Sequence, residues 1–395
     1  MGVYSAIASA VNHPDVLHPN RGLFNYRMLK YLDSAGTKLD VVSPRPFAPP
    51  VGPHSEYGTL PAVEEWGQYA IHHPKFWYLL PKRLFYAASG ESFARRVPSY
   101  LERTFEVPDV VHACHIYLDG YGVLPYVRDH DLPLFVVAHG TILNTLDDQP
   151  PGVRSRVLET LREATGVLCV SDALAEKARR HASPSKVSTV PIGADPDHFP
   201  VERSTEIRRE LGIDADATVV LFVGRYSREK GVGDVVDLLP ALELEDVEFV
   251  FVGNGGDLRS ELTRSLLENG YSARNVLWDL SPVAVRRWFA IADLLLLPSH
   301  MEGRPTVVYE AMASRTAVLA SAVGGVPEQV EDGETGMLVP PRDVPALREA
   351  LESLATDREA LADMGAKGYE RLRRNDWTWK RHVERVQDLH RAAIE

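Results

Sequence analysis

Asp293-Leu-Leu-Leu-Leu-Pro-Ser-His-Met-Glu-Gly-Arg-Pro-Thr-Val-Val-Tyr-Glu-Ala-Met-Ala313 is the stretch on which the reading of this chain turns. Its opening, Asp293–Leu297, has the unbroken apolar character of a buried parallel strand, and Gly303 and Pro305 then break the chain. Val307–Ala313 has the composition of a helix start. Strand, loop and helix in that order put Glu302 at the carboxyl end of a strand, where open α/β sheets bind ligands. Glu310 falls on the first turns of the helix, whose backbone N–H groups favour an anion. A carboxylate there accepts hydrogen bonds from vicinal sugar hydroxyls, two donors to two oxygens. The alternative is a solvated helix face with a capping acid.

Outward from this stretch, short β-branched runs alternate with helical segments, the pattern of parallel α/β sheets. In the first half strands are predicted at Val3–Ala10, Leu39–Ser43, Asp109–Cys114, Leu134–Ala138, Gly166–Ser171 and Val187–Pro191. The second half repeats the theme at Thr218–Val223, Val247–Val252, Asn275–Asp279, Asp293–Leu297, Ala317–Ser321 and Gly336–Val339. A chain of 395 residues exceeds one core, and the turn-rich Gly193–Pro200 is the expected linker. The expected domains are therefore 1–198 and 199–376, two doubly wound Rossmann-like units facing across a cleft. The amphipathic segment 377–395 would cap the second domain or return to the first.

Composition narrows the function. A formal net charge of −12 argues against nucleic-acid binding. No run approaches the roughly 18 apolar residues that a membrane span needs. The N-terminus reads as a first strand and not as a signal peptide. Cys114 and Cys169 lie in apolar runs, so buried free thiols and a reducing, cytoplasmic setting are expected. Within this acidic chain, 66–96 interleaves Trp66, Tyr69, Phe76, Trp77, Tyr78, Phe85 and Tyr86 with Lys75, Lys82, Arg83, Arg95 and Arg96. Such a mixture reads as a peripheral surface for anionic membrane or lipid acceptor, or as an ordinary helix pair with an aromatic core.

Three further motifs follow strands. Val223-Gly-Arg-Tyr-Ser-Arg-Glu-Lys-Gly231 supplies Arg225 and Lys230, a guanidinium and a mobile ammonium suited to a diphosphate. It lacks the order of a Walker loop. Gly253 and Asn254, in Phe251-Val-Gly-Asn-Gly-Gly-Asp257, allow close approach of a ligand or form a plain turn. Phe135-Val-Val-Ala-His-Gly-Thr141 sets His139 at a strand tip, to bind a sugar hydroxyl, to meet charge at a reacting carbon, or to serve structure. His112 and His115 flank Cys114 but point to opposite faces of a strand, and the Asp-x-Asp pairs starting at Asp129, Asp195 and Asp214 lie in turns, so no metal site is expected.

Taken together, Gly-Arg-x4-Lys-Gly at 224–231, Glu302 and Glu310 within Glu-Gly-x-Pro and Glu-Ala-Met-Ala, Val-Gly-Gly-Val-Pro-Glu at 323–328 and Asp332–Pro341 resemble glycosyltransferase family 4. His18-Pro-Asn-Arg-Gly-Leu-Phe24, Asp119-Gly120 and His139-Gly140 resemble one subgroup of it. The resemblance implies a GT-B fold and metal-independent, retaining transfer from a nucleotide-sugar to a glycan or lipid-linked acceptor, with no cofactor. By position, Arg225 and Lys230 would bind the diphosphate, Glu310 the ribose and Glu302 the donor sugar. Gly303 and Pro305 would help to bind the donor, backbone N–H groups around Thr306 and Val307 would meet the phosphate, Gly22 would approach it, and His139 would face the sugar. The family implies a front-face route in which the leaving phosphate assists acceptor deprotonation. Departures are Ser314-Arg-Thr316 at a usual glycine position, Ile142 shortly after His139-Gly140 where many relatives carry an acid, a single Gly22, and Cys114 where the subgroup often has His. The rival readings are another GT-B enzyme such as an epimerase, a phosphorylase, and a silent glycan-binding scaffold.

Overall fold

The computed structural model describes residues 3–47, 55–67, 69–78, 82–199 and 204–395, with the side chains of 82–84 also outside the described set. The chain divides into two compact units, Met1–Pro191 with Trp379–Glu395, and Ile192–Thr378.

The first unit is built on β1 (Ser5–Ser9), β2 (Lys38–Val42), β3 (Arg45–Pro46), β4 (Val63–Trp66), β5 (Tyr69–His72), β6 (Lys75–Phe76), β7 (Val110–Ala113), β8 (Leu134–Ala138), β9 (Gly166–Cys169) and β10 (Val187–Thr189). Its main sheet runs β10-β9-β8-β7-β1-β2-β5-β4, with β3 and β6 paired separately. The pairings of the main sheet are parallel except β4 with β5. Buried Val, Leu, Phe and Ala on both faces of β7, β8 and β9 leave little room for polar residues, as a helix-covered parallel sheet requires.

Within 66–96, where an interfacial surface or a helix pair was expected, Trp66 ends β4 and Tyr69–His72 forms β5 at the edge of the main sheet, while Lys75–Phe76 pairs with β3. Gly67 turns the chain at φ +68°, so that Trp66 opposes Tyr69 in an antiparallel edge hairpin. Tyr69 and Phe76 are core, while Trp77 and Phe85 are exposed. One helix, Lys82–Thr104, follows. The side chains of Lys82 and Arg83, part of the basic–aromatic segment, lie outside the described residues.

The second unit holds β11 (Thr218–Val223), β12 (Val247–Gly253), β13 (Val276–Trp278), β14 (Leu294–Leu297), β15 (Ala317–Ser321) and β16 (Met337–Val339). They form one parallel sheet in the order β13-β12-β11-β14-β15-β16. Strand order therefore reverses beside β11, between β12 and β14, and both of the chain's cation-bearing and acidic motifs follow β11 and β14. Ligands of such sheets bind outside the carboxyl ends of the strands at this switch point.

The boundary between the units falls after Pro191, ahead of the 198/199 division expected from the turn-rich linker. Ala194 bridges Thr378 and Phe199 meets Phe289, which ties this connector to the second unit. The final helix, Trp379–Ile394, belongs to the first unit. Its buried His390 hydrogen-bonds the Tyr4 hydroxyl at 2.9 Å and His112 at 3.1 Å, and His382 bonds the Pro191 carbonyl at 3.0 Å.

Candidate active site

The second unit assembles its site from two loops that only glycine lets meet. Gly231 ends the turn after β11 at φ +72°, and a Cβ there would sit 1.9 Å from the Pro298 carbonyl oxygen. Any other side chain would push the two loops apart. The His300 amide closes the junction by donating to the Glu229 carbonyl at 2.9 Å. Lys230, next to Gly231, thereby reaches Glu302, and its Nζ donates to Oε1 at 2.6 Å. Ser299 Oγ donates to the same oxygen at 2.7 Å. Glu302 is 8% exposed, and these donors supply hydrogen bonds that its buried carboxylate does not get from water.

Behind Glu302 lies the glycine turn of 323–328. Gly324, at φ +54°, would place a Cβ 2.1 Å from the Glu302 carbonyl oxygen, and the Gly325 amide donates to the Gly303 carbonyl at 2.8 Å. Arg304 is buried beneath the loop, paired with Glu328 and donating to the Tyr309 hydroxyl. Its guanidinium also lies 5.1 Å from the Trp377 ring centroid. Pro305 then stands at the N-cap of the helix Thr306–Ala313 and gives it no side-chain cap. The first N–H groups of a helix have no partner within it, so Thr306 and Val307 present donors where a phosphate would be favoured. Glu310, one turn on from Thr306, is half-buried on this helix.

The structure thus brings Lys230, Glu302, Gly303, Pro305, Thr306, Val307 and Glu310 to one end of the second sheet. Arg225 stands apart: its side chain is half exposed and pairs with Glu229 at 3.1 Å. Gly253 and Asn254 are on the neighbouring loop. A Cβ on Gly253 would fall 2.3 Å from the Gly224 carbonyl oxygen, and Asn254 donates to Asp279 at 3.2 Å. Gly253 therefore serves first to let the ends of β11 and β12 approach.

Gly22 and His139 belong to the first unit. Gly22 precedes the helix Leu23–Ser34 at φ +59°, where a Cβ would overlap the Asn12 carbonyl. The Phe24 ring then lies 4.5 Å from that of His139. His139 Nε2 is buried without a hydrogen-bond partner. Burial, followed by the neighbouring His115, holds its pKa well below the usual range, so the ring is neutral at pH 7. Among the described residues no group of three or more His, Cys, Asp or Glu side chains is arranged to hold a metal ion.

Against known proteins, residues 203–371 match the model of glycosyl transferases group 1 and residues 23–198 that of Glycosyltransferase Family 4. A D-inositol 3-phosphate glycosyltransferase of Corynebacterium aurimucosum is 33% identical over 314 residues, 74% of each chain. The chain belongs to glycosyltransferase family 4. Another family relative, a glycosyltransferase named for teichuronic acid biosynthesis in Bacillus subtilis (strain 168), is 29% identical over 86% of both chains. In fold, this family 4 enzyme is similar to sucrose-phosphate synthase from Thermosynechococcus elongatus, with a TM-score of 0.81 at 21% identity over 98% of both chains. It is also similar to Anabaena HepE in complex with UDP-glucose, with a TM-score of 0.72 at 16% identity over 98% of both. The fold is GT-B, with two Rossmann-like units, and the enzyme is a glycosyltransferase.

Several residues of this glycosyltransferase's site escaped the sequence reading. Ser299 and Arg304 lie inside the quoted stretch, yet Arg304 meets partners at 328 and 377 that no local spacing reveals. His300 pairs with Asp234 at 2.8 Å across 66 residues. The glycines at 231 and 324 were the available signal, since each marks a backbone approach and not a ligand contact.

Proposed function

We propose that this enzyme transfers a sugar from a nucleoside-diphosphate sugar to a glycan or lipid-linked acceptor, with retention at the anomeric carbon and without a metal. The observation that carries the reading is the Lys230–Glu302 pair, held at 2.6 Å beside a helix N-terminus to which Pro305 gives no side-chain cap. A departing diphosphate gathers negative charge, and a preorganised ammonium with helix N–H donors offsets it without reorganisation. The names of relatives that act on an inositol phosphate and in teichuronic acid biosynthesis, and of a fold neighbour that holds UDP-glucose, support a nucleotide-sugar donor and a glycan acceptor. In this reading Glu302 orients the donor sugar, Glu310 the ribose and Arg225 the distal phosphate.

Product analysis by NMR in excess EDTA tests it. An axial donor giving an axial product at an undiminished rate is the expected result; inversion, or dependence on added divalent ion, would refute it.

Peripheral attachment to anionic membrane is supported by a narrower patch than 66–96. Phe47, Trp77 and Phe85 are exposed, and a hollow of about 600 Å³ is lined by Trp77, Ala88, Glu91, Ser92, Arg95 and Arg96. Flotation with phosphatidylserine vesicles, lost in Trp77→Ser with Arg96→Glu, is expected. Equal flotation of both proteins would remove this part of the reading.

A further inference from the structure

At the end of the second sheet away from the donor-side cluster lies a hollow of about 680 Å³, a size at which small molecules bind. Arg208, Arg209 and Arg358 bring three guanidiniums to its wall, and Ile213, Ala215 and Ala362 give it apolar surface. Arg208 and Arg209 come from the short helix Thr205–Glu210, and Arg358 opens the helix Arg358–Arg374. Among the described residues that line the hollow there is no carboxylate, although the chain as a whole has a formal net charge of −12.

Arg208, 7% exposed, fixes the place. Its guanidinium donates to the Ala217 carbonyl at 2.8 Å, just ahead of β11, and to Asp293 Oδ2 at 2.8 Å, just ahead of β14. These are the amino ends of the two strands whose carboxyl ends lead to Lys230 and Glu302. Six residues of β11, at about 3.3 Å each, set those ends roughly 20 Å apart. The hollow is therefore separate from the donor-side cluster.

Its charge is unbalanced. Asp293 pairs with Arg208, but Arg358 donates to the same Ala217 carbonyl at 3.0 Å and so stands as a second cation beside the first. Burial, and then this neighbouring Arg358, lower the pKa of Arg208. Among the described residues neither Arg209 nor Arg358 forms an ion pair with a carboxylate. Nearby acids are engaged elsewhere. Asp214 accepts the Asp216 amide at 2.9 Å, and Glu210 pairs with Arg287. Asp357 caps its own helix through the Ala360 amide at 2.9 Å, and Asp363 pairs with Lys367 at 2.9 Å. Glu206 and Glu359 are exposed and do not line the hollow. Like charges gathered in this way repel unless an anion joins them.

We propose that this hollow binds a small phosphate monoester, with Arg209 and Arg358 on the phosphate and Ile213, Ala215 and Ala362 against the carbon body. A phosphate monoester carries about −1.5 to −2 charges at pH 7, which matches two unpaired guanidiniums where a carboxylate brings one charge. The planar guanidinium also meets phosphate oxygens in pairs. The proposal stands apart from the transferase reading.

Calorimetric titration of the full chain with phenyl phosphate, inorganic phosphate and benzoate at constant ionic strength tests it. Phenyl phosphate is expected to bind tightest, because it alone offers both the dianion and an apolar body. Arg209→Ser with Arg358→Ser is expected to weaken it about 10-fold or more, the scale of a lost charge-assisted hydrogen bond. Ala362→Trp, which fills the hollow and keeps both arginines, is expected to weaken it as much. Nucleotide-induced thermal shifts are expected to be the same in all three proteins. No binding by the unaltered protein, or equal binding by it and both variants, would overturn the proposal. Binding lost with the arginines but kept in Ala362→Trp would show charge attraction without a pocket, and benzoate binding as tightly as phenyl phosphate would show no phosphate site; either overturns it as well.

Discussion

Lys230 and Glu302 each answer a problem that the other creates. An ammonium beside a buried carboxylate is costly to lose, because the partner is left charged and away from water. Lys230→Ala is therefore expected to lower the transfer rate about 100- to 1000-fold, the scale for one lost transition-state donor, and to lower the melting temperature as well. Rate and thermal denaturation measured on one preparation check both. Glu310 is half-buried on the helix face, and Glu310→Ala is expected to weaken nucleotide binding about 10-fold, the scale of a charge-assisted hydrogen bond, with the fold intact by circular dichroism. Arg315, which replaces a usual glycine, adopts φ +55° and stacks 4.7 Å from the Tyr369 ring centroid. Left-handed backbone costs a non-glycine about 1 kcal/mol and the cation–π contact returns about as much. Arg315→Gly is accordingly expected to leave the melting temperature within a few degrees, and a large fall would show that the side chain contributes more than its contact with Tyr369.

At the scale of elements, the loop from Pro298 to Pro305 is held by what packs beneath it. Buried Arg304 connects it to Glu328, Tyr309 and Trp377. Arg304→Ala leaves Glu328 without its cation and opens a cavity, with an expected loss of about 3–5 kcal/mol in urea denaturation. The same elements show what a sequence reveals. The strands Thr218–Val223 and Ala317–Ser321 were legible residue for residue, because central parallel strands are unbroken apolar runs ended by glycine or a polar turn. The edge hairpin Val63–His72 was not, since Glu64, Glu65 and His72 interrupt its pattern and its pairing depends on β2. Glu302, Lys230 and Glu310 were legible as motifs after strands. Asp119 was legible only as half of an Asp-Gly pair, and its bond to His115 needed the turn that folds between them.

The whole molecule carries a pH dependence written in its buried imidazoles. Burial, ahead of any neighbouring charge, lowers His13 to about 4, His112 to about 3 and His382 to about 4 from an ordinary 6.5. The unfolded chain then binds more protons than the folded one, so stability is full above the ordinary value and is lost as pH falls toward about 4. The melting temperature is expected to drop steeply between pH 6.5 and pH 4, about the window these shifts define; a flat profile there would mean that these rings are hydrated or paired. The closing helix bearing His382 and His390 is expected to loosen first, which hydrogen exchange across 379–394 would register. The central claim, that the second unit binds a nucleoside-diphosphate sugar through Lys230, Glu302 and Glu310 without a metal, is tested most directly by thermal shift in EDTA. UDP, GDP, ADP and their sugar conjugates are screened against the full chain and Glu310→Ala. One nucleotide series should raise the melting temperature of the unaltered protein and lose most of that shift in the variant. No shift with any nucleotide, a shift only with divalent ion, or an equal shift in Glu310→Ala would contradict it.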